Sequence, residues 1–163
     1  MAGVFRVMMV RKNTLYASIV LIIVVVMASG VAHAALGERA SSVETDRQAL
    51  SAVQGASVAH QHYTVHEIRT EATVVREYVS PDGIVFAIAW NGLVHPDLTA
   101  LLGTYAGEYE EALRSTPREH GRRQLRVKST RVVVEKWGHI RNLKGRAYDP
   151  ELIPPGVSID DIK

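Results

Sequence analysis

The stretch VREYVSPDGIVFAIAWNG, residues 75–92, decides how this chain folds. Two runs rich in Val, Ile, Phe, Tyr and Trp flank Ser80-Pro81-Asp82-Gly83. Proline presets φ at the second position of a turn, and glycine accepts positive φ at its end. The spacing therefore predicts a β-hairpin built on a type I turn with a following bulge. In the second arm, residues 84–90, side chains two apart share a face of the strand. Ile84, Phe86, Ile88 and Trp90 form the bulky face, and Val85, Ala87 and Ala89 the small one. The bulky face is expected to meet the core, and the small face suits close approach of another element.

Working outward, residues 73–79 form the first arm, with Arg76 expected near the surface, and residues 63–68, YTVHEI, form a further strand. Beyond the hairpin, Leu98, Leu101, Leu102, Tyr105, Tyr109, Ala112 and Leu113 step by three and four, which predicts an amphipathic helix over 97–114. Pro96 sits near its first turn, where a missing N–H costs little. Gly103 and Gly107 lie opposite the stripe, either as tolerated surface glycines or as a back face open to close approach. The helix stripe is expected to lie on Ile84, Phe86, Ile88 and Trp90. Upstream, residues 41–53 read as a short helix, with Ser41 and Glu44 spaced as a capping box. Residues 54–57 then read as a linker.

After a polar loop at 115–124, strands are expected at 125–128, 130–137 and 139–143, with Gly138 marking a break. The tail from Tyr148 carries Pro150, Pro154, Pro155 and Gly156, too many breakers for regular structure. Leu152, Ile153, Val157 and Ile159 nevertheless predict that it packs down. The expected class is α+β: an antiparallel sheet of about five strands, one long amphipathic helix packed on it, and a short N-terminal helix.

The N-terminus carries a different kind of information. Arg6, Arg11 and Lys12 precede an apolar run over residues 15–28, and Ala32-His33-Ala34 places small residues where a signal peptidase reads. Residues 1–34 thus read as a cleavable signal peptide and 35–163 as a single exported domain, periplasmic or secreted. The alternative is an uncleaved anchor, but a membrane span needs about 20 apolar residues and this run is shorter. The chain has 19 Lys+Arg and 17 Asp+Glu, and the leader holds three of the bases and none of the acids. Its removal leaves 16 bases against 17 acids, so the overall basic charge is no argument for nucleic acid or membrane binding. There is no cysteine, which excludes disulfides, thiol catalysis and Cys-bound metal.

Three polar constellations stand out. His60, His62 and His66 share parity and would align on one extended strand, a spacing able to hold Zn or Cu. A neighbouring carboxylate of matching parity is missing, so no metal and no other cofactor is expected. Arg114, Arg118, Arg122, Arg123, Arg126, Lys128 and Arg131 form a basic stretch, read as a solvated loop plus a charge-protected edge strand, with a patch for anionic lipid, lipopolysaccharide or polysaccharide as the alternative. Without interleaved aromatics it does not make a single-strand nucleic-acid platform. His139, Arg141, Lys144, Arg146 and Tyr148 form the third cluster, an Arg-Tyr surface suited to partner binding or to satisfying local backbone groups.

An ordered set of segments also carries a resemblance: ALGERASSV (35–43), YTVHEI (63–68), VREYVSPDGIVFAIAW (75–90), PDLTALLGTY (96–105), GHIRNLKGRAYDP (138–150) and PPGVSIDDI (154–162). The set is similar to an uncharacterised bacterial exported family, domain of unknown function 2844. It spans nearly all of the chain after the leader. Asn91-Gly92-Leu93, where the family pattern has Gly-Pro after the Trp, and the charged loop at 118–123 depart from it. The resemblance implies an exported proteobacterial protein and supplies no catalytic residue, cofactor or substrate. The function expected is therefore a non-catalytic binding or interaction module of the cell envelope. Its partner would be an envelope protein or an anionic envelope component, with membrane contact only through the leader. The alternative is a small periplasmic enzyme with an unrecognised site.

Overall fold

The computed structural model describes residues 36–39, 53–117 and 123–163, in which seven strands form one antiparallel sheet. They are β1 (Val53–Ala59), β2 (Thr64–Arg69), β3 (Thr73–Val79), β4 (Val85–Gly92), β5 (Gln124–Lys128), β6 (Val133–His139) and β7 (Asn142–Tyr148). Their spatial order is β1-β2-β3-β4-β7-β6-β5. The expected count of about five is too low. Residues 54–57 are not a linker but part of β1, where Ser57 pairs with His66 and Val58 with Val65. These small uncharged residues carry no apolar alternation, and what places them is the open backbone edge of β2. Gly138 does not break a strand either: it pairs with Leu143 inside β6, and the chain turns at Ile140-Arg141.

The predicted hairpin is present. The Gly83 N–H donates to the Ser80 carbonyl at 2.9 Å with Gly83 at φ 79, and the Ser80 N–H donates to Ile84 at 2.8 Å. Val79 then pairs with Val85, but Tyr78 pairs with Ala87, so Phe86 is an extra residue on β4. A bulge of this kind shifts the facing of what surrounds it. Val85, Ile88 and Trp90 face the helix, while Phe86, Ala87 and Ala89 face the opposite side. The expectation that Phe86 shares a face with Ile88 and Trp90 is thereby corrected.

The helix is interrupted. Asp97 caps α1 (Leu98–Leu102) by accepting the Thr99 N–H at 2.9 Å. Gly103, at φ 50 and ψ −117, diverts the chain into a 3-10 turn, Gly103–Tyr105, before α2 (Ala106–Ser115) resumes. That backbone conformation suits glycine, so Gly103 is a hinge in the element and not a face of it. Gly107 is a surface glycine, with open space where a Cβ would stand. Leu98, Leu101, Leu102, Tyr105, Ala106 and Tyr109 are buried against Ile68, Val75, Val85, Ile88, Trp90, Val127 and Val134. Trp90 lies so close to Gly145 that a Cβ there would overlap the indole. Residues 36–39 dock on the start of β4: Leu36 is fully buried and its N–H donates to Leu101, while Gly37 and Glu38 bond both backbone groups of Val85.

The other face of the sheet is covered by the C-terminal segment. Ile162 is fully buried with Tyr78, Phe86, Ala87, Ala89, Val133 and Tyr148, and Tyr63, Val65, Leu152, Ile153 and Val157 pack around them. Expected packing of the tail therefore holds for Leu152, Ile153 and Val157. Ile159 instead opens a 3-10 turn, Ile159–Asp161, capped by Ser158, and is 37% exposed. The short helix expected at 41–53 lies outside the described residues up to position 52, and Val53 opens β1; residues 1–34 also lie outside them.

Candidate functional site

One cross-strand row organises the tail side of the sheet. Register places Glu67, Arg76, Ala89, Arg146, Glu135 and Arg126 side by side on β2, β3, β4, β7, β6 and β5. Arg76 is half-buried and donates to Glu67 at 3.1 Å and to Asn91 at 3.0 Å. Arg146 donates to Glu135 at 2.6 Å, and Arg126 pairs with the other oxygen of that carboxylate at 3.2 Å. Ala89, the small member of the row, leaves room for Ile162. The two flanking arginines then hold the tail by its carbonyls: Arg146 reaches Ile159 at 2.6 Å and Ile162 at 3.4 Å, and Arg76 reaches Lys163 at 3.4 Å. The Tyr78 hydroxyl donates to the Lys163 carbonyl at 3.0 Å and accepts its N–H at 2.9 Å.

This row separates the five residues singled out in the sequence. Tyr148 is buried in the tail-side core, and Arg146 is committed to Glu135 and the tail. His139, Arg141 and Lys144 are exposed at the far end of the β6–β7 hairpin. Between them stands Trp137, which the sequence reading passed over as the end of a strand. It is half-exposed, pairs across from Lys144, and has the Arg146 guanidinium 5.7 Å from its ring. Three hollows, of 740, 350 and 620 Å³, share Trp137 as a lining residue. Arg126 and Arg146 line the first, Arg76 and Lys144 the second, and Arg123, Lys136 and His139 the third. A signal for Trp137 existed: on a strand, an aromatic followed by glycine at a hairpin end has little to cover it.

The remaining constellations resolve locally. Arg114, Arg126 and Arg131 of the basic stretch pair with Glu110, Glu135 and Glu108, at 3.9, 3.2 and 3.1 Å. Lys128 is exposed, and Arg118 and Arg122 lie outside the described residues. The premise for a histidine row fails, because His60 and His62 sit in the connection before β2 and only His66 is in the strand. His60 stacks on Tyr63 with centroids 4.6 Å apart. Among the described residues, no three His, Cys, Asp or Glu come together as a metal site.

Groups with shifted titration occupy separate places. His95 accepts the Trp90 indole N–H on Nδ1 at 2.9 Å, and burial, then Lys136, lowers its pKa, keeping the imidazole neutral. Burial raises Tyr63 and Tyr78 beneath the tail. Tyr105 donates to Asp149 at 2.7 Å in the interior, and its pKa is pushed up to about 12 by burial first and by the Asp149 hydrogen bond and charge next. A raised folded pKa favours the protonated phenol. This contribution to stability is therefore complete below pH 10 and lost as pH rises towards about 12. Urea unfolding across that range should show an alkaline decline, shallower in Tyr105→Phe; an unchanged slope would remove Tyr105 from the account.

A family model described as Protein of unknown function (DUF2844) matches residues 32–162. No curated protein and no solved structure matches the chain.

Proposed function

The chain belongs to the DUF2844 family, and on that premise we propose that it is an exported protein of the cell envelope that acts by binding an anionic envelope component. Export is supported by the basic, apolar and Ala32-His33-Ala34 succession at the N-terminus. Binding is supported above all by Trp137, half-exposed where three hollows meet among Arg123, Arg126, Lys136, Lys144 and Arg146. An indole face accepts apolar or sugar-ring surface, and cations around it accept phosphate or carboxylate. Glu135 is already occupied by Arg126 and Arg146, so exposed Lys144 and Arg123 provide the further charge that faces open solvent. The scatter of shifted titrating groups over the helix side, the tail and the hairpin end supports binding over catalysis, which needs them convergent.

The test uses the protein purified from the envelope fraction, titrated with soluble polyphosphate and, as a neutral control, dextran. Only two tryptophans are present, and Trp90 is buried, so a change in emission reports Trp137. Polyphosphate should shift that emission and dextran should not. By calorimetry, Lys144→Ala, which removes the exposed cation across from Trp137, should weaken polyphosphate binding about tenfold, in keeping with a charge-assisted hydrogen bond worth roughly 1.5–3 kcal/mol. Absence of polyphosphate binding, or equal binding by Lys144→Ala, refutes the reading.

A further inference from the structure

We propose that the tip of the β6–β7 hairpin docks the protein on an anionic, phosphate-bearing lipid surface, with Ile140 entering the boundary between headgroups and acyl chains. The proposal rests on the cationic surface just described and names its partner. It also widens the sequence-based expectation that membrane contact ends with the leader.

Ile140 is 88% exposed at the apex of the hairpin. A single exposed apolar residue needs no explanation. Here Leu93 and Val94, 55% and 52% exposed, stand at the same end of the sheet, because Gly92 at the end of β4 pairs with Leu143 at the start of β7. The turn chemistry also runs against folding. His139 pairs with Asn142, so the loop is Ile140-Arg141 alone, and Arg141 sits at φ 65. Asn-Gly is the pair that two-residue hairpin loops favour, and positive φ penalises a residue with a Cβ. A strained arginine beside a bare isoleucine is a choice that folding does not explain.

The charge distribution selects a lipid surface over a protein. From Lys136 to Tyr148 the hairpin carries Lys136, His139, Arg141, Lys144 and Arg146 and no acid. Lys136 lies on the helix side of the sheet, over the Tyr109 ring, and Lys144 pairs with Trp137 on the tail side. Cations therefore flank the apex on both faces. Among the described residues, the acids that the strand register places at this end are Glu71 in the β2–β3 turn and Asp97, which is engaged in capping α1. A convex apolar apex with cations on both sides matches a plane of negative charge over an apolar layer, whereas a protein would have to offer a pocket. Trp137, just behind the apex, is placed where interfacial aromatics sit. Each Lys or Arg near such a surface strengthens binding about fivefold, and the contact weakens as salt screens it.

Co-sedimentation tests this with vesicles of phosphatidylcholine alone and vesicles containing phosphatidylglycerol. The exported protein should bind the second at low salt and leave them at high salt. Ile140→Ser should weaken vesicle binding about tenfold while leaving polyphosphate binding intact. The double variant Ile140→Asn with Arg141→Gly should resist urea better than wild type yet lose the vesicles, which separates docking from folding. If polyphosphate binds but vesicles do not, or if Ile140→Ser binds them as wild type does, lipid docking is refuted while the anionic-ligand reading stands. If neither probe binds, both fall. An envelope protein held by wild type and lost by Ile140→Ser, without vesicle binding, would replace the lipid with a protein partner.

Discussion

Phe86→Ala is expected to lower the free energy of unfolding by about 3–5 kcal/mol, the usual range for a buried phenylalanine. That is a large part of the roughly 5–15 kcal/mol available to a domain. Phe86 is fully buried, with Tyr63 and Tyr78 at 6.1 and 6.2 Å between ring centroids, both met edge-on. The cavity left behind cannot close easily. Tyr78 is tied to Lys163 through its hydroxyl, and Phe86 itself sits in a bulge whose carbonyl accepts the Asp149 N–H at 3.1 Å. The cost should therefore fall in the upper half of the range. The side of the sheet matters to the interpretation. Phe86 supports the tail-side core, so its loss should also loosen the C-terminal segment, visible as faster amide exchange from Leu152 onwards. A variant that unfolds like wild type would show that this cluster is a surface and not a core.

The hairpin was legible because its information is local. Ser-Pro-Asp-Gly specifies the turn, and the strands on either side alternate. The bulge at Phe86 was not legible, since an inserted residue leaves no compositional mark, and parity counted back from Trp90 and Ile88 then assigns Phe86 to the wrong face. The run VFAIAW has no polar position because both faces of β4 are covered, one by α1 and α2 and one by the tail. β1 was missed for the opposite reason: VQGASVA is placed by backbone pairing, which sequence patterns do not display. Gly103 was visible as a glycine, but a stripe stepping by three and four survives a one-residue diversion, so the interruption was hidden.

The candidate surface was legible to the same local depth. Basic side chains at 139, 141 and 144 could be seen in the sequence, and they are exposed. Arg146 and Tyr148 belong to the same strand face, yet the tail lies over them, and contact between residues 146 and 162 is long-range information. Trp137 could be seen as an aromatic before a glycine, but the basic residues around it come together only when strands and tail enclose the hollows.

Ile162→Ala is expected to cost about 2–5 kcal/mol, while Ile159→Ala should stay within roughly 0.5 kcal/mol of wild type. The two residues are three apart in PPGVSIDDIK, and composition does not distinguish them. Their environments do. Ile159 opens a 3-10 turn and is 37% exposed, whereas Ile162 follows that turn and enters the space left by Ala87 and Ala89. The Ser158 and Asp161 capping box fixes the turn, and Arg146 fixes the Ile159 and Ile162 carbonyls, so the side chain of Ile162 is delivered to one place. Replacing it with alanine keeps those backbone bonds and removes only apolar contact, which makes the measured loss a direct reading of burial on this face. Urea melts of the two variants, analysed at equal m-value, decide the matter. A large loss confined to Ile162 establishes the tail as a third layer of the fold, clamped by Arg76 and Arg146. Equal small losses would mean that it rests on the sheet without stabilising it, leaving the groove beneath it open to an outside ligand.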